Sequence, residues 1–183
     1  MRGAMLEVPR SVLDERRQLG IDGRDEMWSG VVHMVPPVGG PHQGLNTRFL
    51  MVVGPLAEQR GLVPHTETGL FRSDADYRVP DQLYARAEQL SERGVEGAEV
   101  VAEVRSPRDE TYEKFDFYIA LGVREVLVLH PGDRRAELFR LIEDRLLPVS
   151  TSGGVAESEV LGIGLSTVEG KLRITWSDGS ADI

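Results

Sequence analysis

A strand–helix–strand pattern in the second half of the chain constrains the fold more than any other feature of the sequence. Residues 99–104 form an apolar strand that stops at Ser106 and Pro107, because a residue before proline is pushed out of the helical region. A helix follows over about 109–121, and residues 123–129 form a near-continuous apolar run that is typical of a strand covered on both faces. This order indicates a β–α–β unit with a right-handed crossover, and therefore an α/β (α+β) fold.

The rest of the chain is predicted to add helices, strands and hairpins around this unit. Turn-forming residues bound the short segments, and apolar residues recur at helical spacing before Gly61. The predicted elements are a helix at 10–19, a hairpin at 25–35, an amphipathic helix that ends at 61, strands at 62–67, 69–72 and 79–84, and hairpins at 136–149 and 164–176. We expect a loop or short helix at 88–97 and a surface loop at 150–158.

Composition excludes several kinds of metal and disulfide chemistry. The chain of 183 residues has no cysteine, which removes disulfides, thiolate nucleophiles and zinc bound by cysteine. Its four histidines show neither HxH nor HExxH spacing, so we expect no zinc hydrolase site. A bound metal would need oxygen or imidazole ligands, which leaves hard ions such as Mg²⁺ or Mn²⁺.

Hydropathy and charge bear on location and on partners. The sequence has neither an apolar run of ~18 residues nor a signal-peptide pattern, so we expect a cytoplasmic protein with no membrane partner. The net charge of -9 counts against a broad basic surface, and so against tight non-specific binding of DNA. A nuclease stays compatible with this charge, since active-site carboxylates repel DNA only until a divalent cation neutralises them.

Two carboxylates are the strongest candidates for functional residues in the sequence. Glu103 lies near the carboxyl end of the strand at 99–104, which is where ligand sites usually form in α/β sheets. Asp81 follows Pro80, which suits a strand entry or a bend. If the two strands are neighbours, both side chains can reach one cation, so we predict a Mg²⁺ or Mn²⁺ site at Asp81 and Glu103. Such an ion would polarise a phosphoryl oxygen and activate a bound water.

Two cations are candidates for stabilising charge at this site. Arg105 lies two residues after Glu103, so on a strand both side chains leave the same face. Lys114 lies at the border of the apolar face of the predicted helix, next to Tyr118. Lysine shifts its pKa readily when it is desolvated, whereas arginine stays charged, so we expect Lys114 to take any proton-handling role.

A series of segments along the chain carries a family resemblance. In order, the segments are Asp25-Glu26-Met27-Trp28-Ser29-Gly30, His42, Val79-Pro80-Asp81, Val101-Ala102-Glu103-Val104-Arg105-Ser106-Pro107, Lys114, Tyr118 and Gly122-Val123-Arg124-Glu125. Together they resemble the Uma-type putative restriction endonuclease family, a bacterial domain family of unknown function. The resemblance covers about residues 20–150.

The resemblance implies a restriction-endonuclease-like fold, similar to that of the PD-(D/E)xK nucleases. Such a fold has a mixed central sheet flanked by helices, to which this chain would add extra β-hairpins. We accordingly expect a single domain over 1–183, with an N-terminal helix at 1–20, a nuclease-like core at 20–150, and a loop and C-terminal β-hairpin at 150–183.

The resemblance also implies roles for particular residues. Asp81 and Glu103 would be the metal ligands, and Lys114 on the helix would replace the strand lysine of the wider superfamily. Glu26 from the first hairpin and His42 from a helix start would lie near the site.

Two positions depart from the family pattern. Arg105 stands where the superfamily motif has lysine, and His130 stands where the family commonly has aspartate. The site residues also have structural explanations when each is taken alone, such as a turn at Asp81 or an ion pair between Glu103 and Lys114.

The sequence leaves three functions open. The first is a Mg²⁺- or Mn²⁺-dependent endonuclease that hydrolyses DNA, in which Asp81 and Glu103 bind the ion and Lys114 assists the attacking water. The second is a catalytically silent interaction module with a nuclease fold, working as a homodimer. The third is a metal-dependent hydrolase of a small phosphate ester. Nucleoside triphosphate chemistry is not expected, because no Gly-rich phosphate loop is present.

Overall fold

The computed structural model describes residues 4–5, 8–20, 22–107 and 109–183 as a mixture of helices and short strands. In chain order the elements are β1 (Ala4–Met5), α1 (Arg10–Gln18), β2 (Glu26–Trp28), β3 (Val31–His33), α2 (Gly40–Glu58), β4 (Val63–Thr66), β5 (Leu70–Ser73), β6 (Asp76–Arg78), β7 (Gln82–Ala85), β8 (Leu90–Ser91), β9 (Gly94–Val95), β10 (Val100–Val104), α3 (Phe115–Ala120), β11 (Glu125–Leu129), β12 (Ala136–Ile142), β13 (Arg145–Pro148), β14 (Ala156–Ser158), β15 (Ile163–Val168), β16 (Lys171–Trp176) and β17 (Gly179–Asp182). Short 3₁₀ turns precede β8 and α3. None of the helices in these ranges is long and apolar enough to cross a membrane.

A mixed six-stranded sheet positions the residues of the candidate site. Its strand order is β13-β12-β11-β10-β7-β4. β10 and β11 run parallel, and each of the other neighbouring pairs is antiparallel. The parallel pair is joined through α3, as the β–α–β pattern predicts, so the predicted α+β fold with a mixed central sheet is confirmed.

The two faces of the central sheet pack into two different hydrophobic clusters. Successive side chains of a strand point to opposite faces. In β10, Ala102 joins the cluster that contains Phe49 of α2, whereas Val101 joins the cluster that contains Tyr118 of α3. Glu103 has the same parity as Val101, so its carboxylate lies on the side of the sheet that α3 covers.

Two further sheets flank the central one. A seven-stranded sheet has the order β1-β3-β2-β6-β5-β9-β8 and includes the predicted first hairpin. Ser29 and Gly30 turn this hairpin with φ values of 49° and 88°, as a type I′ turn requires. A four-stranded sheet, β14-β15-β16-β17, packs its buried Ile163 and Ile174 into the same cluster as α2.

The structure differs from the predicted elements at two places next to the site. The predicted strand at 79–84 begins only at Gln82, since Pro80 lacks an N–H for a ladder and Asp81 lies in a bend. The predicted helix at 109–121 is shorter, with a 3₁₀ turn at Thr111–Lys114 before α3. The Asp109 carboxylate accepts the N–H groups of Ser106 and Thr111, which holds the start of this segment in a turn.

Other differences lie away from the site. The segment at 88–97 contains the small hairpin β8–β9, and the segment at 150–158 contributes β14. The predicted C-terminal hairpin is present as β15–β16 and carries β14 and β17 on its two sides. The division of the chain at residues 20 and 150 stays a prediction.

Candidate active site

Asp81 and Glu103 lie side by side because of the pairing between β7 and β10. These strands are antiparallel with Ala102 opposite Gln82, so one more step along each strand brings Glu103 next to Asp81. The Val104 N–H donates a hydrogen bond to Asp81 Oδ2 at 2.7 Å. Asp81 is therefore held against the carboxyl end of β10, where the sequence predicts the site.

Glu103 is a buried carboxylate with two donors on one oxygen. Its residue surface is 4 % exposed, and its Oε1 accepts hydrogen bonds from Lys114 Nζ at 3.0 Å and from Tyr118 Oη at 2.5 Å. The pKa of Glu103 is raised to about 7, mainly by burial and further by the neighbouring carboxylates of Asp81 and Glu26. The Lys114 ammonium and the Tyr118 hydroxyl act in the opposite direction, which keeps the rise from being larger.

Lys114 joins two buried carboxylates. Its Nζ donates to Glu103 Oε1 and also to Glu26 Oε1 at 2.8 Å. Burial alone would lower the pKa of Lys114, but the charges and hydrogen bonds of Glu103 and Glu26 outweigh it, so the pKa is raised. The side chain accordingly stays protonated at neutral pH. This environment opposes the expected proton-handling role and suits a fixed positive charge.

Glu26 connects the first hairpin to the site. Its Oε1 accepts the Val79 N–H at 2.9 Å in addition to Lys114, and its Oε2 accepts Trp28 Nε1 at 2.8 Å. The residue is 2 % exposed. Because each carboxylate oxygen has a donor, the Glu26 side chain is fixed and in turn fixes the position of the Lys114 ammonium.

His42 reaches the site from the first turn of α2. Its Nε2 lies 3.2 Å from Asp81 Oδ2, and the residue is buried. Burial lowers the pKa of His42, but the hydrogen bond and charge of Asp81 outweigh this effect, and the pKa is raised. His42 Nδ1 is buried and makes no hydrogen bond within the described residues. The imidazole therefore orients Asp81 from the helix side.

The predicted residues surround one cavity, with one exception. The cavity has a volume of about 320 Å³. It is lined by Glu26, His42, Asp81, Glu103 and Lys114, together with other residues of the same loops. Arg105 does not line it. The Arg105 guanidinium lies over the Tyr112 ring, 5.0 Å from its centroid, and 4.0 Å from Asp109 Oδ1, because the chain has left β10 at this point.

Sequence reasoning did not predict three interactions around the cavity. One is the hydrogen bond of Tyr118 to Glu103, for which the four-residue spacing from Lys114 is the only signal, since it places both side chains on one helix face. The others are ion pairs at the cavity wall, Arg24–Glu67 and His33–Glu110. Each pair joins segments that are far apart in sequence, so no local pattern indicates it.

The donor atoms around the cavity fit a hydrated divalent cation. Within the described residues, no group of three or more His, Asp or Glu is arranged to hold a metal ion. Asp81 Oδ1 and Glu103 Oε2 nevertheless accept no hydrogen bond from the described part of the chain, and both carboxylates line the cavity. Mg²⁺ is commonly bound through one or two carboxylates while it keeps several waters, so two hard oxygen donors are sufficient.

Comparison with known proteins gives the family of the chain. The Uma2 family, described as "Putative restriction endonuclease", matches residues 14–174. The chain belongs to this family. The match confirms the resemblance seen in the sequence and extends beyond the expected range of 20–150 in both directions. No curated protein matches the chain.

A solved structure supports the fold of this Uma2 protein. The chain is similar to the crystal structure of a putative nuclease belonging to DUF820 from Anabaena variabilis, with a TM-score of 0.62 and 15% sequence identity. The similarity covers 81% of this chain and 89% of that one, which shows a shared fold. A DrdV–DNA complex gives a TM-score of 0.37 at 13% identity, covering 58% of this chain and 10% of that chain, and is too distant to inform the fold.

Proposed function

We propose that this Uma2 protein is a Mg²⁺- or Mn²⁺-dependent endonuclease of the PD-(D/E)xK type that hydrolyses phosphodiester bonds in DNA. The observation that carries the proposal is the convergence of Asp81, Glu103 and Lys114, from three separate segments, on one cavity. The family description and the nuclease-like fold are consistent with this chemistry.

The two carboxylates would hold the ion. Asp81 and Glu103 both line the cavity and would bind one divalent cation together with water. When bound, the ion would polarise a phosphoryl oxygen and lower the pKa of a water molecule. A cation at this position would also relieve the repulsion among carboxylates, which adds to the rise that burial causes in the pKa of Glu103.

The other residues would stabilise charge and keep the geometry. The protonated Lys114 ammonium supplies a positive charge at the cavity wall, where negative charge builds up on a phosphate under attack. Glu26 and Tyr118 hold Lys114 and Glu103 in place by hydrogen bonds, and His42 holds Asp81. The site needs little reorganisation because these partners are buried and already hydrogen-bonded.

One observation favours the alternative of a catalytically silent interaction module. Lys114 already forms an ion pair with Glu103, so this carboxylate has a positive partner without any metal ion. In this reading the buried cluster is structural and the protein acts through its surface, as a homodimer.

A cleavage assay separates the two functions. Purified protein is incubated with supercoiled plasmid, linear duplex and single-stranded DNA, in the presence of Mg²⁺, Mn²⁺ or EDTA. The endonuclease cleaves DNA only with a divalent ion, and Asp81→Asn abolishes cleavage, whereas the exposed Asp178→Asn leaves it unchanged. Absence of cleavage of all three substrates by the folded protein would favour the silent module.

A further inference from the structure

A second cleft lies at the opposite end of the central sheet from the candidate active site. Arg86 follows β7, and Arg124 directly precedes β11, whereas Asp81 precedes β7 and Glu103 lies near the end of β10. Glu99, which precedes β10, is four residues from Glu103, a distance of about 13 Å along an extended strand. The two sites therefore open at different ends of the sheet.

Arginine side chains dominate this second cleft. Its volume is about 470 Å³. The lining residues are Arg60, Leu62, Arg86, Arg124, Glu159 and Val160. Three guanidinium groups line this one cleft, although the net charge of the chain is -9.

Arg60 is held in place by neutral acceptors. Its Nε donates to the Val160 carbonyl at 2.7 Å, and its Nη2 donates to the Glu159 carbonyl at 3.0 Å. A Cβ at Gly162 would collide with this guanidinium, so the absence of a side chain there lets Arg60 lie against the backbone. Because carbonyl groups carry no net charge, the positive charge of Arg60 stays uncompensated by these bonds.

Arg86 and Arg124 share a single carboxylate. Arg86 Nε lies 3.3 Å from Glu99 Oε1, and Arg124 Nη1 lies 3.3 Å from Glu99 Oε2. Glu159, the acid that lines the cleft, lies 2.7 Å from Arg140, which also pairs with the buried Glu125 at 3.0 Å. Four arginines thus meet three carboxylates in and around the cleft, which leaves an excess of one positive charge. The side chains of Arg86 and Arg124 are 45% and 55% exposed, so both can turn towards a ligand.

We propose that this cleft binds a phosphate group, at a site separate from the cavity at Asp81 and Glu103. The planar guanidinium fork matches phosphate oxygens in a bidentate manner, and such charge-assisted hydrogen bonds are among the strongest available to a protein. The phosphate belongs either to a free phosphate or nucleotide, or to a nucleic acid backbone. This inference does not depend on cleavage at the other site.

Titration with inorganic phosphate tests the inference. The arginine Nε–Hε signals of the full chain are followed by NMR at constant ionic strength, with sodium chloride as the reference titration. Phosphate is expected to shift the signals of Arg60, Arg86 and Arg124 saturably. The Arg86→Gln/Arg124→Gln protein is expected to bind about 100-fold more weakly, since each of the two lost charge-assisted bonds is worth about a factor of ten. The exposed Arg145→Gln serves as the matched control and should leave the affinity unchanged.

Glu99→Gln gives a result that an ion-pair network without a ligand would not produce. Removing this carboxylate leaves the arginines without their shared counter-charge, so phosphate should bind more tightly to the variant than to the parent chain. If the double variant fails to fold, Arg124→Gln alone is compared with Arg145→Gln, because Arg124 is more than half exposed.

The source of the phosphate is separated by comparing ligands. Inorganic phosphate, a nucleoside monophosphate and a single-stranded oligonucleotide are titrated into the parent chain and the double variant. An oligonucleotide that binds far more tightly than phosphate, and loses this advantage in the double variant, identifies a nucleic acid backbone, whereas similar affinities identify a free phosphate group. Shifts that do not saturate, or equal affinities in the double variant and the Arg145→Gln control, would overturn the inference.

Discussion

Lys114 donates a hydrogen bond from its Nζ to Glu103 Oε1 at 3.0 Å, and this contact ties the candidate catalytic lysine to the candidate metal ligand. Lys114 is largely buried and Glu103 is buried, with 13% and 5% of their side-chain surfaces exposed. A buried carboxylate and a buried ammonium each depend on the other for charge compensation. The stability of this region and its chemistry are therefore coupled.

Removal of the Lys114 charge should destabilise the protein strongly. We expect Lys114→Met to lower the free energy of unfolding by about 3–5 kcal/mol at pH 8, because Glu26 and Glu103 lose their buried counter-charge. Urea unfolding followed by circular dichroism measures the change. The exposed Lys171→Met is the matched control and should change the free energy by less than about 0.5 kcal/mol. Equal losses in both variants would contradict the role of Lys114.

The pKa of Glu103 predicts how stability depends on pH. Its folded pKa of about 7 lies above the ordinary value of 4.5, so the folded state binds the proton more tightly than the unfolded chain. The contribution of Glu103 to the free energy of unfolding is fully present below pH 4.5 and is lost as the pH rises through about 7. This contribution amounts to about 3 kcal/mol or less.

Glu103→Gln isolates this contribution. The raised pKa of His42 gives a loss in the same direction as the pH rises above 6.5, so only the difference between the two proteins reports on Glu103. Between pH 4.5 and 7 the free energy of unfolding of the parent chain should fall more steeply than that of the variant. Parallel curves would show that the pKa of Glu103 is not raised in the folded state.

The buried hydroxyl of Tyr118 should lower the pKa of Glu103, whereas the hydroxyl of the exposed Tyr112 should leave it unchanged. We expect Tyr118→Phe to cost about 1–3 kcal/mol and to raise the pKa of Glu103 further, because the variant removes a buried donor from Oε1. Carbon-13 NMR of the glutamate carboxyl groups follows the titration. Tyr112→Phe removes a comparable bond to Glu137 at an exposed position, and it should leave the Glu103 titration unchanged. A Glu103 curve that is the same in both variants would count against this geometry.

The residues that line the cavity predict which positively charged side chain supports cleavage. We expect Lys114→Met to lower the rate of DNA cleavage by about 100-fold or more, since the variant removes a charge aimed at the reacting phosphate. Arg105→Ala should retain the rate within about twofold, because a side chain that does not line the cavity contributes little to the reaction. Single-turnover cleavage at saturating Mg²⁺ compares the two variants. A larger loss in Arg105→Ala would place the functional cation elsewhere.

Local patterns predict some parts of this fold much better than others. The strand at β10, the following helix and β11 have apolar periodicity, so the β–α–β unit is readable from sequence. β6 contains only Asp76, Tyr77 and Arg78. Arg78 is buried because its guanidinium lies between the rings of Trp28 and Phe117, at 4.2 and 4.3 Å from their centroids, and a hydrophobic pattern does not register such burial.

The residues of the candidate site also divide into those that local sequence patterns indicate and those that only the folded chain brings together. Asp81 and Glu103 were predictable because each lies where a strand begins or ends, beside Pro80 or a Ser-Pro stop. Glu26 lies next to Lys114 because β2 pairs with β6, and the paired residues of these two strands are about fifty residues apart in the chain. Spacing alone also suggested that Arg105 shares the face of Glu103, but the strand ends at Val104 and the next side chain is free to turn away.

A crystal soaked in Mn²⁺ and measured at the manganese absorption edge is the sharpest test of a metal site at Asp81 and Glu103. We expect an anomalous difference peak within coordinating distance of both carboxylates, and loss of that peak in Asp81→Asn crystals. A map without such a peak, in crystals where Lys114 still donates to Glu103, would contradict a metal site at this pair of carboxylates.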